Sequence, residues 1–221
     1  MFDRIAFRYD FLNRLLSGGT DLYWRKKAIR ELAAIQPENI LDVATGTADM
    51  AIMMTKYLSP KQVIGIDISE GMLGLGRKKI ATLKLQNKIM LQSGDSEAIN
   101  FPDNSFDAIT VAFGVRNFEN LEKGMKEMRR VLRPGGKLVV LEFSKPKQGL
   151  FRKMYRFYMG FIAPGLVQLF SKKQAYQYLN KSVQAFPEGE TFINIMHEAG
   201  FQQTYCKPLS LGICTIYVGE K

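Results

Sequence analysis

The chain reads as an α/β protein in which helices cover both faces of one mostly parallel, seven-stranded sheet, doubly wound and closed by an antiparallel C-terminal hairpin. Three observations predict this. Five short apolar runs recur through residues 40–143, each ending in a polar or small-residue turn. Between them the apolar residues take helical spacing, the alternation that builds parallel strands joined by crossover helices. The last two apolar runs are separated only by Leu209-Ser210-Leu211-Gly212, a connection short enough for a hairpin.

Residues 1–19 mix aromatics, arginines and polar groups, with partial helical periodicity, and end in Ser17-Gly18-Gly19. Such a segment is expected to be a lid or a frayed end. Thr20 caps a helix expected to reach residue 35, with Ala28, Ile29, Leu32 and Ile35 on one face. Residues 40–44 form the first strand, a small-residue turn follows, and a Met-rich helix runs from Ala48 to about residue 58, its methionines read as core filler. The second strand, residues 63–67, leads through Ser69 as cap to a helix ending near residue 83. Gly74 and Gly76 inside that helix each cost about 1 kcal/mol relative to alanine, which close packing would explain. Residues 88–92 and 106–113 are the third and fourth strands. Asn120 caps the next helix, whose Leu121, Met125, Met128 and Leu132 are spaced by four, three and four. Arg133-Pro134-Gly135-Gly136 breaks it ahead of the fifth strand, residues 137–143. Pro187 and Glu188 open a last helix that Gly200 stops.

The functional signal begins at Asp42-Val43-Ala44-Thr45-Gly46-Thr47-Ala48, where a strand runs into a tight turn and a helix start. In open α/β sheets that arrangement cradles a nucleotide-sized ligand, and small residues such as Gly46 let the backbone approach it. The dinucleotide pattern of three glycines is not met, which disfavours a diphosphate and a nicotinamide cofactor. Asp67 ends the second strand 21 residues after Gly46, where a carboxylate can accept both hydroxyls of a ribose. After the third strand, Ser93-Gly94-Asp95-Ser96 offers an acceptor at Asp95 for an exocyclic amine and a donor at the Ser96 amide for a ring nitrogen. A nucleoside without phosphates fits this set, and S-adenosylmethionine is the common one.

Composition narrows the class further. The 221 residues suit one domain, and 46% hydrophobic content excludes a disordered chain. No apolar run reaches the roughly 18 residues of a membrane span. Cys206 and Cys214 are read as reduced thiols, and one histidine without paired cysteines assembles no metal site. The net charge is +10. Residues 145–181 hold eight lysines and arginines, eight aromatics and no acid. That interleaving suits nucleic acid or an anionic membrane surface.

These motifs resemble class I S-adenosylmethionine-dependent methyltransferases in order and type: the acid-small-Gly turn, the acid after strand two, the Gly-Asp-Ser turn and Arg-Val-Leu-Arg-Pro-Gly-Gly before strand five. Longer stretches resemble the quinone C-methyltransferases of menaquinone and ubiquinone biosynthesis. They are Phe2-Asp3-Arg4-Ile5-Ala6 with Arg8-Tyr9-Asp10, Phe113-Gly114-Val115-Arg116-Asn117, Leu141-Glu142-Phe143-Ser144-Lys145-Pro146, and 176–187. The resemblance spans nearly the whole chain. It implies one methyltransferase domain over residues 1–221; the composition of residues 1–19 adds the expectation of a lid, and that of 145–181 the expectation of a basic aromatic insertion facing the acceptor and the membrane. It adds Thr47 to the cofactor contacts Gly46, Asp67, Asp95 and Ser96. Members carry residues ahead of the motif at Phe2, so a short segment is expected to precede it, and Ala48 stands where many members have glycine.

What the resemblance implies is a cytoplasmic enzyme at the inner face of the membrane, methylating demethylmenaquinol to menaquinol or, alternatively, 2-methoxy-6-polyprenyl-1,4-benzoquinol. The ring carbon becomes nucleophilic when an adjacent hydroxyl ionises, which at pH 7 costs about 4 kcal/mol from a phenol pKa of about 10. Arg116 is expected to stabilise that oxyanion with Asn117 orienting it; a structural salt bridge is its alternative. Tyr9 and Asp10 are the expected proton acceptors, and His197 an ordinary surface histidine. The partners are a lipid-tailed hydroquinone and an anionic membrane surface, with a homodimer compatible with both. Nucleic acid is not expected: Phe113-Gly114-Val115-Arg116 replaces the tetrapeptide of amino-directed enzymes, and neither cysteine lies near the acceptor end.

Overall fold

The computed structural model describes residues 14, 17, 19–146, 178 and 181–221. Its elements are β1 (Asn39–Val43), β2 (Gln62–Asp67), β3 (Ile89–Ser93), β4 (Phe106–Ala112), β5 (Leu132–Phe143), β6 (Gln202–Leu209) and β7 (Cys214–Glu220), with helices α1 (Asp21–Arg30), α2 (Asp49–Tyr57), α3 (Glu70–Thr82), α4 (Leu121–Val131) and α5 (Glu190–Glu198). They form one seven-stranded sheet in the order β3-β2-β1-β4-β5-β7-β6. Strands β1 to β5 pair in parallel, whereas β7 runs antiparallel to both β5 and β6. The sheet is the doubly wound one predicted.

The parallel strands are buried on both faces, so they read as continuous apolar runs rather than alternating ones. Alternate residues still divide between two cores. Ile40, Val63, Ala108 and Val139 face one side, against Trp24, Ala28 and Ile29 of α1 and Met50 and Met54 of α2. Leu41, Ile64, Ile109 and Val140 face the other, against Met125 and Met128 of α4 and Phe192 and Met196 of α5. Full burial of one such side chain stabilises by about 1.5–3 kcal/mol, and truncation to alanine adds the cost of the cavity left behind.

Local signals set most boundaries. Ser69 caps α3 by accepting from the Met72 amide at 3.3 Å, and Asn120 caps α4 by accepting from the Lys123 amide at 3.0 Å. Helix α1 is shorter than expected. It ends at Arg30 and gives way to a 3-10 turn at Ala33–Ile35, and the Thr20 hydroxyl donates to the Ser17 carbonyl at 2.6 Å instead of accepting from the first turn. Gly76 is explained by close packing, since a Cβ there would stand 2.7 Å from Leu91 and 3.2 Å from the Thr47 carbonyl carbon. Gly74 is not, because a Cβ there meets nothing within 4 Å. Arg133-Pro134-Gly135-Gly136 belongs to β5, and the Gly135 amide donates to the Lys221 carbonyl at 2.8 Å. The last helix starts two residues beyond Glu188, whose carboxylate accepts from the Lys145 amide at 2.7 Å.

The order 3-2-1-4 means that the chain turns back between β1 and β4. Ligands of open α/β sheets bind at such a switch point, outside the carboxyl ends of the strands.

Candidate active site

At that edge the turn after β1 is wound tightly: Ala44, Gly46 and Ala48 have φ of 53°, 58° and 68°. This left-handed region is open to glycine and costly for a residue with a Cβ, which accounts for a glycine preference at position 48. A Cβ on Gly46 would meet no protein atom within 4 Å, so the backbone there faces open space. The loop leaving β4 closes the other side. A Cβ on Gly114 would lie 2.5 Å from the Ala44 Cβ, so glycine lets the two loops touch.

The acids of the edge are held by short polar contacts. Asp67 bridges two turns, with Oδ2 accepting from the Gly46 amide and Oδ1 from the Ser69 amide, both at 2.8 Å. A carboxylate offers about four lone-pair sites, so it can accept several hydrogen bonds at once. Asp95 folds its own turn, its Oδ1 accepting from the Glu97 amide at 2.8 Å. Asp42 is buried in β1 and accepts from the hydroxyls of Thr45 and Thr110, each at 2.6 Å. Burial pushes its pKa up to about 6, more than the two hydroxyls and the charge of Arg25 pull it down. At Asp49, burial also opposes the charge, but Arg25, Lys79 and Arg14 outweigh it and hold the carboxyl below its usual range. Lys79 donates to Asp49 Oδ1 at 2.7 Å and to the Thr47 hydroxyl at 2.8 Å.

These groups surround one cavity of about 260 Å³. Of the residues expected from sequence, Gly46, Thr47, Asp67, Asp95, Ser96 and Asn117 line it together. Arg116 does not. Its Nη1 pairs with Glu142 Oε1 at 2.7 Å, its guanidinium lies over the Phe143 ring at 5.6 Å, and its side chain is 3% exposed. Arg116 therefore makes a buried structural salt bridge, the alternative to direct contact with an oxyanion. Glu142 is itself fully buried, and desolvation raises its pKa despite Arg116. Tyr9 and Asp10 lie outside the described residues, as do the proposed lid (with the exceptions of 14, 17 and 19) and residues 147–177. Asn117 Oδ1 accepts from the Tyr178 hydroxyl at 3.1 Å. His197 is exposed and hydrogen-bonded to Thr204, and both cysteines are free thiols. Met50 both fills the core and lines the cavity, so filler is not its whole role. Among the described residues no helix is long and apolar enough to cross a membrane.

Sequence patterning does not single out Arg25, which also lines the cavity. The available signal is its place beside Trp24 on the buried face of α1, where an arginine is out of character.

An amide-backed acid at the tip of β2, a second polar turn at β3 and a glycine-lined gap fit an S-adenosyl nucleoside without a phosphate site. With the strand order, they define the class as a class I S-adenosylmethionine-dependent methyltransferase. The chain belongs to the ubiE/COQ5 methyltransferase family, which it matches over residues 1–221. It is 48% identical over 222 residues to the demethylmenaquinone methyltransferase of Bacteroides fragilis, covering all of this chain and 91% of that one. It is 46% identical to the ubiquinone/menaquinone biosynthesis C-methyltransferase UbiE of Geobacter sulfurreducens, covering 87% of that protein. The fold also matches a SAM-dependent methyltransferase from Thermotoga maritima, with a TM-score of 0.69 at 20% identity, over 100% of this chain and 98% of the other.

Proposed function

We propose that the protein methylates a ring carbon of demethylmenaquinol to give menaquinol. The observation that carries this reading is the full-length similarity to demethylmenaquinone methyltransferases in a chain whose cavity holds a nucleoside-type donor set. When bound, S-adenosylmethionine supplies a methyl group on a sulfonium, already activated toward a carbon nucleophile. Asp67 takes the ribose hydroxyls, Asp95 and the Ser96 amide read the adenine, and Gly46 and Thr47 form the floor.

The chain's own task is to align the hydroquinone and stabilise its oxyanion. In this reading Asn117 faces the acceptor, its amide NH₂ donating to the ring oxygen while Oδ1 stays on Tyr178. Arg116 works from behind as a positioning residue. Locked on Glu142, it fixes the turn that carries Asn117. Reaching an oxyanion directly would leave Glu142 buried and unpaired, a cost of about 3–5 kcal/mol. Proton removal falls to Tyr9 or Asp10, on the lid formed by residues 1–19. Residues 145–181 face an anionic leaflet from the cytoplasmic side and admit the polyprenyl tail, a role supported by their charge and aromatic pattern.

The test is incubation of purified protein with labelled S-adenosylmethionine and either acceptor, followed by mass analysis. Methylated naphthoquinol is expected. Methylation of the polyprenyl benzoquinol alone overturns the menaquinone assignment in favour of the second reading, which rests on the double name of the Geobacter sulfurreducens relative.

A further inference from the structure

The nucleoside contacts leave out the one cation that lines the cavity among the described residues, Arg25, whose charge pulls down the carboxyls of Asp42 and Asp49. The Arg25 side chain is 9% exposed, and its guanidinium lies 5.2 Å from the centroid of Phe113. Its Nε makes no hydrogen bond, and its ion-pair partner among the described residues, Asp21, approaches Nε only to 4.0 Å. A cation this buried calls for a closely bound acceptor. The other ionisable groups lining the cavity, among the described residues, are all acids: Asp42, Asp49, Asp67, Asp95, Glu97 and Glu119.

Position along the edge says which part of a ligand Arg25 meets. Asp95 follows β3, Asp67 ends β2, Gly46 follows β1 and Phe113 follows β4, in the spatial order 3-2-1-4. A ligand with its base at β3 and its ribose at β2 therefore carries its 5′ substituent across β1 toward β4. Arg25 stands there against Phe113. In S-adenosylmethionine that substituent ends in an amino acid.

From the juxtaposition of a buried, under-bonded guanidinium with the β4 end of this cavity, we infer that Arg25 binds the carboxylate of the cofactor's methionine tail. The inference rests on the S-adenosylmethionine reading of the site. A guanidinium presents a planar fork of donors that matches a carboxylate, which gives both affinity and a fixed direction for the tail. The surrounding acids add selectivity, since they repel any ligand that places a second anion beside the first.

Calorimetry with the full chain tests this using S-adenosylhomocysteine and its decarboxylated analogue, S-adenosyl-3-thiopropylamine. Wild type should bind the carboxylate-bearing ligand about tenfold or more tightly, the scale of hydrogen bonds to a charged group. Arg25→Gln should bind both ligands equally within about twofold, and Arg25→Lys should fall between, as expected for a charge without the fork. An Arg25→Gln protein that keeps the tenfold preference overturns the inference while leaving the nucleoside reading intact. So does a wild type that does not discriminate, an arm that needs no variant to fold. A wild type that binds neither ligand removes the S-adenosylmethionine reading itself, and the inference with it.

Discussion

Asp42 and Glu142 are both buried acids on neighbouring parts of the same edge, yet they are satisfied by opposite means. Asp42 meets the hydroxyls of Thr45 and Thr110, which can turn round and accept from a protonated carboxyl. Glu142 meets Arg116 at 2.7 Å, together with the Phe143 amide at 2.8 Å, and the arginine cannot give up its charge. Protonating Asp42 leaves a neutral, hydrogen-bonded cluster. Protonating Glu142 takes away the charge that faces the buried Arg116 guanidinium. The Asp42 cluster thus stays hydrogen-bonded when its charge changes, and the Glu142 pair is locked.

The largest effect should come from unlocking that pair. Arg116→Leu or Glu142→Leu should each lower unfolding stability by about 3–5 kcal/mol, because the remaining charge is buried without its partner. The double variant should recover most of the loss. Single variants that cost under about 1 kcal/mol and simply add would erase the contrast.

The next effect is the pH dependence of Asp42. Between its unfolded value of 3.8 and its folded value of about 6, the native state holds the proton and the unfolded chain does not. Stability should therefore fall as pH rises through that window, by up to about 3 kcal/mol from a shift of about two units. Below it the contribution vanishes, and above it the loss is constant. Wild type minus Asp42→Asn, measured by denaturant titration from pH 4 to 7, should trace this fall. A flat difference would mean the hydroxyls fully offset burial.

Asp67 sharpens the comparison because it is only partly buried and accepts from two backbone amides. Asp67→Ala should weaken S-adenosylhomocysteine binding by about 1.5–3 kcal/mol. An unchanged dissociation constant in calorimetry would take Asp67 out of the ribose role. The smallest effect concerns the glycines of α3. Gly74→Ala should raise stability by about 0.4–1 kcal/mol, having room for a methyl and less unfolded-state entropy to lose. Gly76→Ala, pressed on Leu91 and the Thr47 backbone, should lower it. Thermal melts that move both the same way would deny that α3 supports the cradle turn from behind.

What the sequence alone determined was whatever depends on neighbours along the chain. Ser69 and Asn120 are legible as caps because a short acceptor three residues before an amide is a local arrangement. The five parallel strands are legible because burial on both faces leaves unbroken apolar runs, and Asp67 because it ends one of them. The partners across the sheet were decided only by tertiary structure. Gly46 meets Asp67 over a separation of 21 residues, Arg116 meets Glu142 over 26, and Ala44 touches Gly114. The placement of β7 between β5 and β6 and the entry of Arg25 from α1 into the cavity are decisions of the same kind. Ion pairs, loop contacts and strand order are fixed by which surfaces pack together, and a side chain's spacing in sequence carries no record of the element it will face. So the sequence named the polar turns that line the cavity at β1, β2 and β3, and packing decided how Arg116 and Glu142 are held.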